Sequence, residues 1–205
     1  TYVPDDNFEQ ALIDLGYDTY LDDYVLTSSI ETVTSLNVSF EGIADLTGIE
    51  DFNSLEILKC YQNQLTSLDV SNNTALTELN CSSNQLMSLD LSANINLTRL
   101  VCSTNLLTIL DVRNGNNTNM ILFKTLGDFG GGNPNLTCIS VDDPTYSAAN
   151  WTDIESHTSF ADTCSYTYVP DDNFEQALID LGYDTYLDDY VLTSSIETVT
   201  SLNVS

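Results

Sequence analysis

Three stretches of this chain repeat one pattern at a fixed period of 21, and that period leaves few folds open. Leu58-x-Cys60-x-x-Asn63-x-Leu65 recurs as Leu79-x-Cys81-x-x-Asn84-x-Leu86 and again as Leu100-x-Cys102-x-x-Asn105-x-Leu107. Between them lie Leu68-Asp69-Val70-Ser71, Leu89-Asp90-Leu91-Ser92 and Leu110-Asp111-Val112-Arg113, in the same phase. A period of about 20–29 residues with leucines so spaced is that of a leucine-rich solenoid, in which each turn buries its apolar face on the next. Leu-x-Cys predicts a short strand with alternate residues facing the core. Turns stacked about 4.8 Å apart pair such strands into a parallel sheet. Degenerate turns flank the three. Leu36-x-Val38 precedes Leu58-x-Cys60 by one position more than the period, and Ile121-x-Phe123 follows Leu100-x-Cys102 by one full period. Leu136-x-Cys138 reads as a last, shortened turn, for about six in all. The expected fold class is an α/β solenoid, a short leucine-rich-repeat domain with a cap at each end.

Within each turn the residue types have distinct tasks. Asn63, Asn84 and Asn105 sit at the bend, where an inward amide satisfies backbone groups the turn leaves unpaired. Cys60, Cys81 and Cys102 form a ladder of stacked thiols. Their parallel side chains do not suit a disulfide, and one row of thiols is not a tetrahedral metal site. They read as small buried hydrophobes. Cys138 and Cys164, both near the end of the unit, are candidates for a disulfide closing the C-terminal cap in an oxidising exterior.

A solenoid needs its terminal apolar faces covered. Asp6-Asn7-Phe8-Glu9 after Pro4 has a capping-box pattern, with an acidic N-cap and Glu at N3. Phe8, Leu12 and Leu15 follow at helical spacing, and Gly16 ends the run, so residues 5–15 are expected to form an amphipathic helix over the first turn. At the far end, residues 146–160 are expected to hold a short helix carrying Trp151 and Ile154. Gly130-Gly131-Gly132 precede it in a loop.

A second, longer repeat then appears. Residues 167–205 copy residues 1–39 at every position, with an offset of 166. The domain reading is therefore 1–166 as one complete domain (1–35 N-cap, 36–138 repeats, 139–166 C-cap) and 167–205 as the cap and first strand of an identical unit. A cap with one strand cannot bury its own apolar face, and Leu202 and Val204 are left without a following turn. Only Ser165 and Tyr166 separate Cys164 from the second copy, too few for a flexible tether. The expectation is a covalent tandem array, and a fixed repeated junction generates an open filament unless the angle happens to close. Thr1 in place of an initiator Met, with no signal peptide, reads as a mature or excised segment of something longer.

These residues carry a resemblance. The short repeat unit with Cys at the second inward strand position resembles the cysteine-ladder repeats of internalin-type surface proteins. Val3-Pro4-Asp5-Asp6-Asn7-Phe8-Glu9-Gln10-Ala11-Leu12 is similar to the N-terminal cap of bacterial secreted leucine-rich-repeat proteins. Leu136-Thr137-Cys138-Ile139, Asn150-Trp151 and Cys164 are similar to the closing segment of such proteins in Bacteroidetes-type bacteria. The resemblance implies an extracellular, secreted or cell-surface protein that is non-enzymatic and binds or adheres through its sheet face. The chain departs from that family in beginning the same domain again at once.

Charge narrows the partners. The chain carries 31 acidic and 4 basic residues, for a net charge of -27. Nucleic acid and anionic membrane surfaces both need clustered cations, so neither is expected. Calcium at Asp5-Asp6, Asp22-Asp23 or Asp142-Asp143 is the one cofactor the acidity raises, although none has EF-hand spacing. No apolar run reaches the length of about 18 residues that predicts a membrane span. The convex column Asp69, Asp90 and Asp111 stacks like charges and reads as a solvated face.

The outward row of the concave face reads Asn37, Lys59, Asn80, Val101, Leu122, Thr137, flanked by Ile57, Tyr61, Glu78, Arg99 and Lys124. Three of the four basic residues, Lys59, Arg99 and Lys124, fall there. The candidate binding residues are Lys59, Tyr61, Asn80, Arg99, Val101 and Lys124, a neutral-to-basic strip for an acidic glycan, a protein or the acidic cap of another copy. Eight N-x-Ser/Thr sequons begin at Asn37, Asn72, Asn80, Asn96, Asn116, Asn135, Asn150 and Asn203, and they matter if the chain passes a glycosylating route. His157 is the sole histidine, and no phosphate loop or nucleophile elbow occurs, so no enzyme is expected. Two readings follow: tandem domains joined into an extracellular fibre or stalk, or an adhesin using the concave face.

Overall fold

The computed structural model describes residues 1–127, 131–184 and 190–203. It divides into two compact units, Thr1–Asp162 and Thr163–Ser205.

The first unit opens with a helix, α1 (Asp6–Asp14), and a short one, α2 (Thr27–Ile30). The N-cap of α1 is Asp5, one residue before the expected Asp6, and its Oδ1 accepts from the N–H groups of Asn7 and Phe8 at 3.0 Å. Glu9 makes no capping box. It is fully buried, and its Oε1 accepts from the N–H groups of Asp22 and Tyr24, both at 3.0 Å, which ties the loop after the helix to its inner face. Gly16 follows the helix with φ of +82°, the left-handed value that favours glycine at this position.

The concave sheet has five parallel strands in the order β1 (Ser35–Asn37), β2 (Ile57–Lys59), β3 (Glu78–Asn80), β5 (Arg99–Val101) and β7 (Leu122–Lys124). Each strand buries its middle residue: Leu36, Leu58, Leu79, Leu100 and Phe123. The register corrects the expected last repeat. Phe123 pairs with Leu100 and Lys124 with Val101, so Phe123 takes the leucine position, not the cysteine position. Thr125, fully buried, follows it. The stretch from Asp111 to Phe123 is two positions longer than that from Asp90 to Leu100. The two extra residues lie in the turn around Asn114 and Asn117.

The opposite wall is a second parallel sheet: β4 (Ser88–Asp90), β6 (Ile109–Asp111), β8 (Cys138–Ser140) and β9 (Ser159–Ala161), in that order. The expected final turn at Leu136-x-Cys138 belongs to this sheet, where Ile139 pairs with Leu110. Thr137 is therefore not in the concave row. The helix of the closing cap is α3 (Pro144–Asn150), capped by Asp143. Trp151 stands just past its end and Ile154 in the loop beyond, so neither is carried on the helix as expected. Trp151 is buried and stacks on Phe123, ring centroids 4.1 Å apart.

Two asparagine columns hold the bends between the sheets. Asn63, Asn84, Asn105 and Asn133 each donate to carbonyls of two successive turns. Asn105, for instance, reaches the carbonyls of Cys81 at 3.0 Å and Cys102 at 3.1 Å. In return, their Oδ1 atoms accept from the N–H of Ile43, Leu65, Leu86 and Leu107. Asn133 lies more than one period past Asn105, which hides it from a search at the repeat spacing. The second column, Asn73 and Asn94, caps the convex turns: Asn94 donates to Val70 at 3.0 Å and Asn73 at 3.1 Å. Beyond the insertion Asn114 continues it, donating to the carbonyl of Asn94 at 3.0 Å.

The thiols of Cys60, Cys81 and Cys102 are free and fully buried. Burial pushes Cys81 up to about 12 and holds Cys60 and Cys102 well above the ordinary thiol range. Cys138 and Cys164 are disulfide-bonded.

The second unit consists of β10 (Tyr166–Tyr168), α4 (Asp172–Asp180), β11 (Tyr190–Leu192) and α5 (Thr193–Ile196). β10 and β11 pair antiparallel. Val169, Leu178 and Val191 form its small buried core. Of the residues named from the sequence, Gly130 and Val204 lie outside the described residues.

Candidate functional site

The pleat of the concave sheet turns two residues of each strand outward, which places side chains from successive turns in rows one strand apart. Four strands build a groove of about 340 Å³, lined by Lys59, Tyr61, Glu78, Asn80, Arg99, Val101 and Leu122, with Leu79 at its floor. Of the six residues expected to bind, Lys59, Tyr61, Asn80, Arg99 and Val101 meet here. Lys124 is beside Val101 in the sheet, and its Nζ pairs with Asp153 at 3.4 Å.

Glu78 organises the charge. Its Oε1 lies 3.5 Å from Lys59 Nζ and its Oε2 3.1 Å from Arg99 Nε. Two cations share one carboxylate, so this part of the face keeps one positive charge on an otherwise acidic molecule. The cations are 41% and 44% exposed, which leaves them accessible to an incoming anion. Asn80 Oδ1 accepts from the Ser82 N–H at 3.2 Å and hydroxyl at 2.7 Å, which fixes the amide at the groove edge.

An aromatic ring that the sequence pattern did not single out extends this edge. Phe40 is 64% exposed and packs edge-on against Tyr61, centroids 5.1 Å apart. Its φ of +68° is strained for a bulky side chain. Gln62, Ser83 and Thr104 adopt the same left-handed geometry, with φ of 54°, 55° and 55°, at the matching place in later turns. A signal for it exists in the sequence, since Phe40 stands one turn of the solenoid before Gln62.

The other expected sites fare differently. Asp5 accepts four backbone N–H groups, from Asn7, Phe8, Ala44 and Asp45. Asp143 caps α3, and Asp22 accepts from the Tyr24 N–H at 3.2 Å. These carboxylates organise backbone. Among the described residues, no group of three or more His, Cys, Asp and Glu side chains is placed to hold a metal. Asp69, Asp90 and Asp111 each accept from the N–H two residues on, at 2.9, 2.9 and 3.0 Å. A backbone hydrogen bond from Ser71 lowers the Asp69 carboxyl, and a side-chain hydrogen bond from Arg113 lowers that of Asp111.

Among the sequons, Asn37, Asn72, Asn96, Asn135, Asn150 and Asn203 are exposed and Asn80 and Asn116 half-buried. Asn96, Asn116 and Asn150 donate their amide to the carbonyls of Thr74, Leu97 and Tyr146. Sugar attached there takes one of the two amide hydrogens and leaves one for that bond. No helix among the described residues is long and apolar enough to cross a membrane.

No family model matches the chain. Internalin J of Listeria monocytogenes serotype 4b (strain F2365) is 41% identical over 73 residues, 36% of this chain and 8% of that protein. Among solved structures, the functional domain of InlJ from Listeria monocytogenes, which includes a cysteine ladder, is 35% identical with a TM-score of 0.54. That match covers 70% of this chain and 34% of InlJ. The internalin InlF from L. monocytogenes strain 4b F2365 is 27% identical with a TM-score of 0.55, covering 75% and 48%. The chain thus spans under half the length of each of these three matches.

Proposed function

We propose, from the premise that these are internalin-like, cysteine-ladder leucine-rich repeats of bacterial type, that the chain is a non-enzymatic extracellular structural protein. Its domains join head to tail into a fibre or stalk, and its partners are further copies of itself. The observation that carries this reading is the second cap. Residues 172–180 and 193–196 form α4 and α5 in the same sequence and with the same boundaries as α1 and α2. A solenoid start follows a closing cap, and a solenoid start has no stable use without turns to cover. The disulfide-bonded Cys138 and Cys164 and the acidic surface suit an oxidising exterior. Cryo-images of native material test it. Regular fibres with an axial repeat of one domain are expected, and separate particles or flexibly strung beads overturn it.

A second reading, a cell-surface adhesin, is favoured by the groove in which Lys59 and Arg99 share Glu78. There the concave face takes an acidic protein or glycan, and tandem copies add avidity. Reversing both charges, Lys59→Glu and Arg99→Glu, is expected to abolish capture of acidic glycans on an array. Unchanged capture sinks this reading.

A further inference from the structure

Phe40 combines an exposed ring with a strained backbone. The ring is 64% exposed, and φ is +68°, a region that a bulky side chain enters at a cost. Later turns put Gln62, Ser83 and Thr104 in the same left-handed place. Polar residues serve the turn there, so the turn itself does not call for an aromatic ring. What the ring meets is Tyr61, edge-on with centroids 5.1 Å apart, and Tyr61 lines the groove of the concave face. The two rings form an apolar platform at one edge of that groove.

Hydrogen-bond donors are left over beside the platform. The sheet sets Lys59 opposite Asn80 and Arg99 opposite Glu78. Asn80 uses its Oδ1 on Ser82, and its Nδ2 donates no hydrogen bond among the described residues. Arg99 sets Nε 3.1 Å from Glu78, and its Nη groups donate no hydrogen bond among the described residues. The outer side of that guanidinium is a planar fork, the geometry that suits a carboxylate. Two cations against one carboxylate leave a single positive charge, on a chain of net charge -27. A polysulfated glycan needs many cations and is repelled by such a surface. A sugar with one carboxylate needs no more than the groove has. Its ring also offers a face of C–H groups to the platform, which an acidic peptide side chain does not.

We propose that this groove is the site for a singly charged, carboxylated sugar, a uronic acid residue of a glycan. The carboxylate sits on Arg99 and Lys59, a hydroxyl takes the Asn80 amide, and one face of the ring lies on Tyr61 and Phe40. The proposal rests on the adhesin reading and selects a glycan over a protein as its ligand.

The test titrates the full chain with a disaccharide ending in glucuronic acid, followed by NMR. Saturable shifts of the Asn80 side-chain amide and the Arg99 Nε–H are expected. Reducing the carboxyl of the sugar to an alcohol should weaken binding at least about tenfold, the worth of one charge-assisted hydrogen bond. Arg99→Lys keeps the charge and loses the fork, so it should weaken binding of the acid several-fold and leave the reduced sugar unaffected. Phe40→Gly relieves the backbone, because glycine accepts positive φ. That variant should melt within a few degrees of the parent, yet bind the acid several-fold more weakly. The proposal is overturned by a lack of saturable binding, or by binding indifferent to Arg99→Lys or Phe40→Gly. Tighter binding of a hexaglutamate peptide or a heparin-derived disaccharide also overturns it. The adhesin reading fails separately, by unchanged capture of acidic glycans when Lys59 and Arg99 are both reversed.

Discussion

The side-chain amide of Asn84 donates to the carbonyl of Cys60, in the preceding turn, at 3.0 Å. The same nitrogen reaches the carbonyl of Cys81 in its own turn, also at 3.0 Å, and Asn84 Oδ1 accepts from the Leu65 N–H. One buried side chain thus joins two turns and satisfies three backbone groups that water cannot reach. Asn84→Ala orphans the Leu65 N–H and removes one of the two amides on each carbonyl, which keep Asn63 and Asn105 as partners. At about 1–3 kcal/mol for one buried unsatisfied group, a loss of at least that size is expected by urea denaturation. Asn84→Asp keeps the acceptor but turns a buried carboxylate oxygen onto the two carbonyls, and should cost at least as much at pH 7.

The cysteine ladder makes stability decline in alkali. An unfolded thiol loses its proton from about pH 8.5, while burial keeps Cys81 protonated up to about 12. Between those values the unfolded chain binds fewer protons than the folded one, so stability falls as pH rises. The Cys81 contribution is fully present below about pH 8.5. Cys81→Ala should lower stability at pH 7 by leaving a small cavity, yet show a shallower decline from pH 9 to 11. An identical slope in thermal melts refutes the assignment.

Glu78 joins two cations in space but adds little to folding. Lys59 and Arg99 are each more than a third exposed, and such pairs contribute about 0–1 kcal/mol. Glu78→Gln should leave the melting temperature within a few degrees of the parent. The free cations should then strengthen capture of acidic glycans, measurable on an array.

Phe123 and Trp151 close the repeat stack. Phe123→Ala removes a buried ring from beneath the indole, and a cost of about 3–5 kcal/mol is expected. Trp151 is the sole tryptophan, so a red shift in its emission reports the same event directly. Unchanged emission with unchanged stability argues against the stack.

Particular residues show how far the sequence can be read. Leu58, Leu79 and Leu100 recur in phase because each fills the same place in a nearly invariant turn, so local spacing is enough to find them. Spacing misplaces Phe123 by two positions because the insertion around Asn114 and Asn117 bulges from the convex wall. The chain recovers its register through the core contact of Phe123 with Trp151, which spacing does not encode. Glu9 fits a capping box by its distance from Asp6. Its place is decided instead by the loop at Asp22 and Tyr24, whose N–H groups need an acceptor once buried. On the concave face, the pleat makes Lys59, Asn80 and Arg99 legible as outward. The bridge through Glu78 depends on how strands from three turns align.

The sequence alone determined the solenoid, its period, the buried ladder and the existence of two identical caps, because each rests on local patterning repeated in phase. Tertiary structure decided which sheet Cys138–Ser140 joined, and it decided that Glu78 bridges Lys59 and Arg99. Both depend on how strands from separate turns align, which spacing within one turn does not encode.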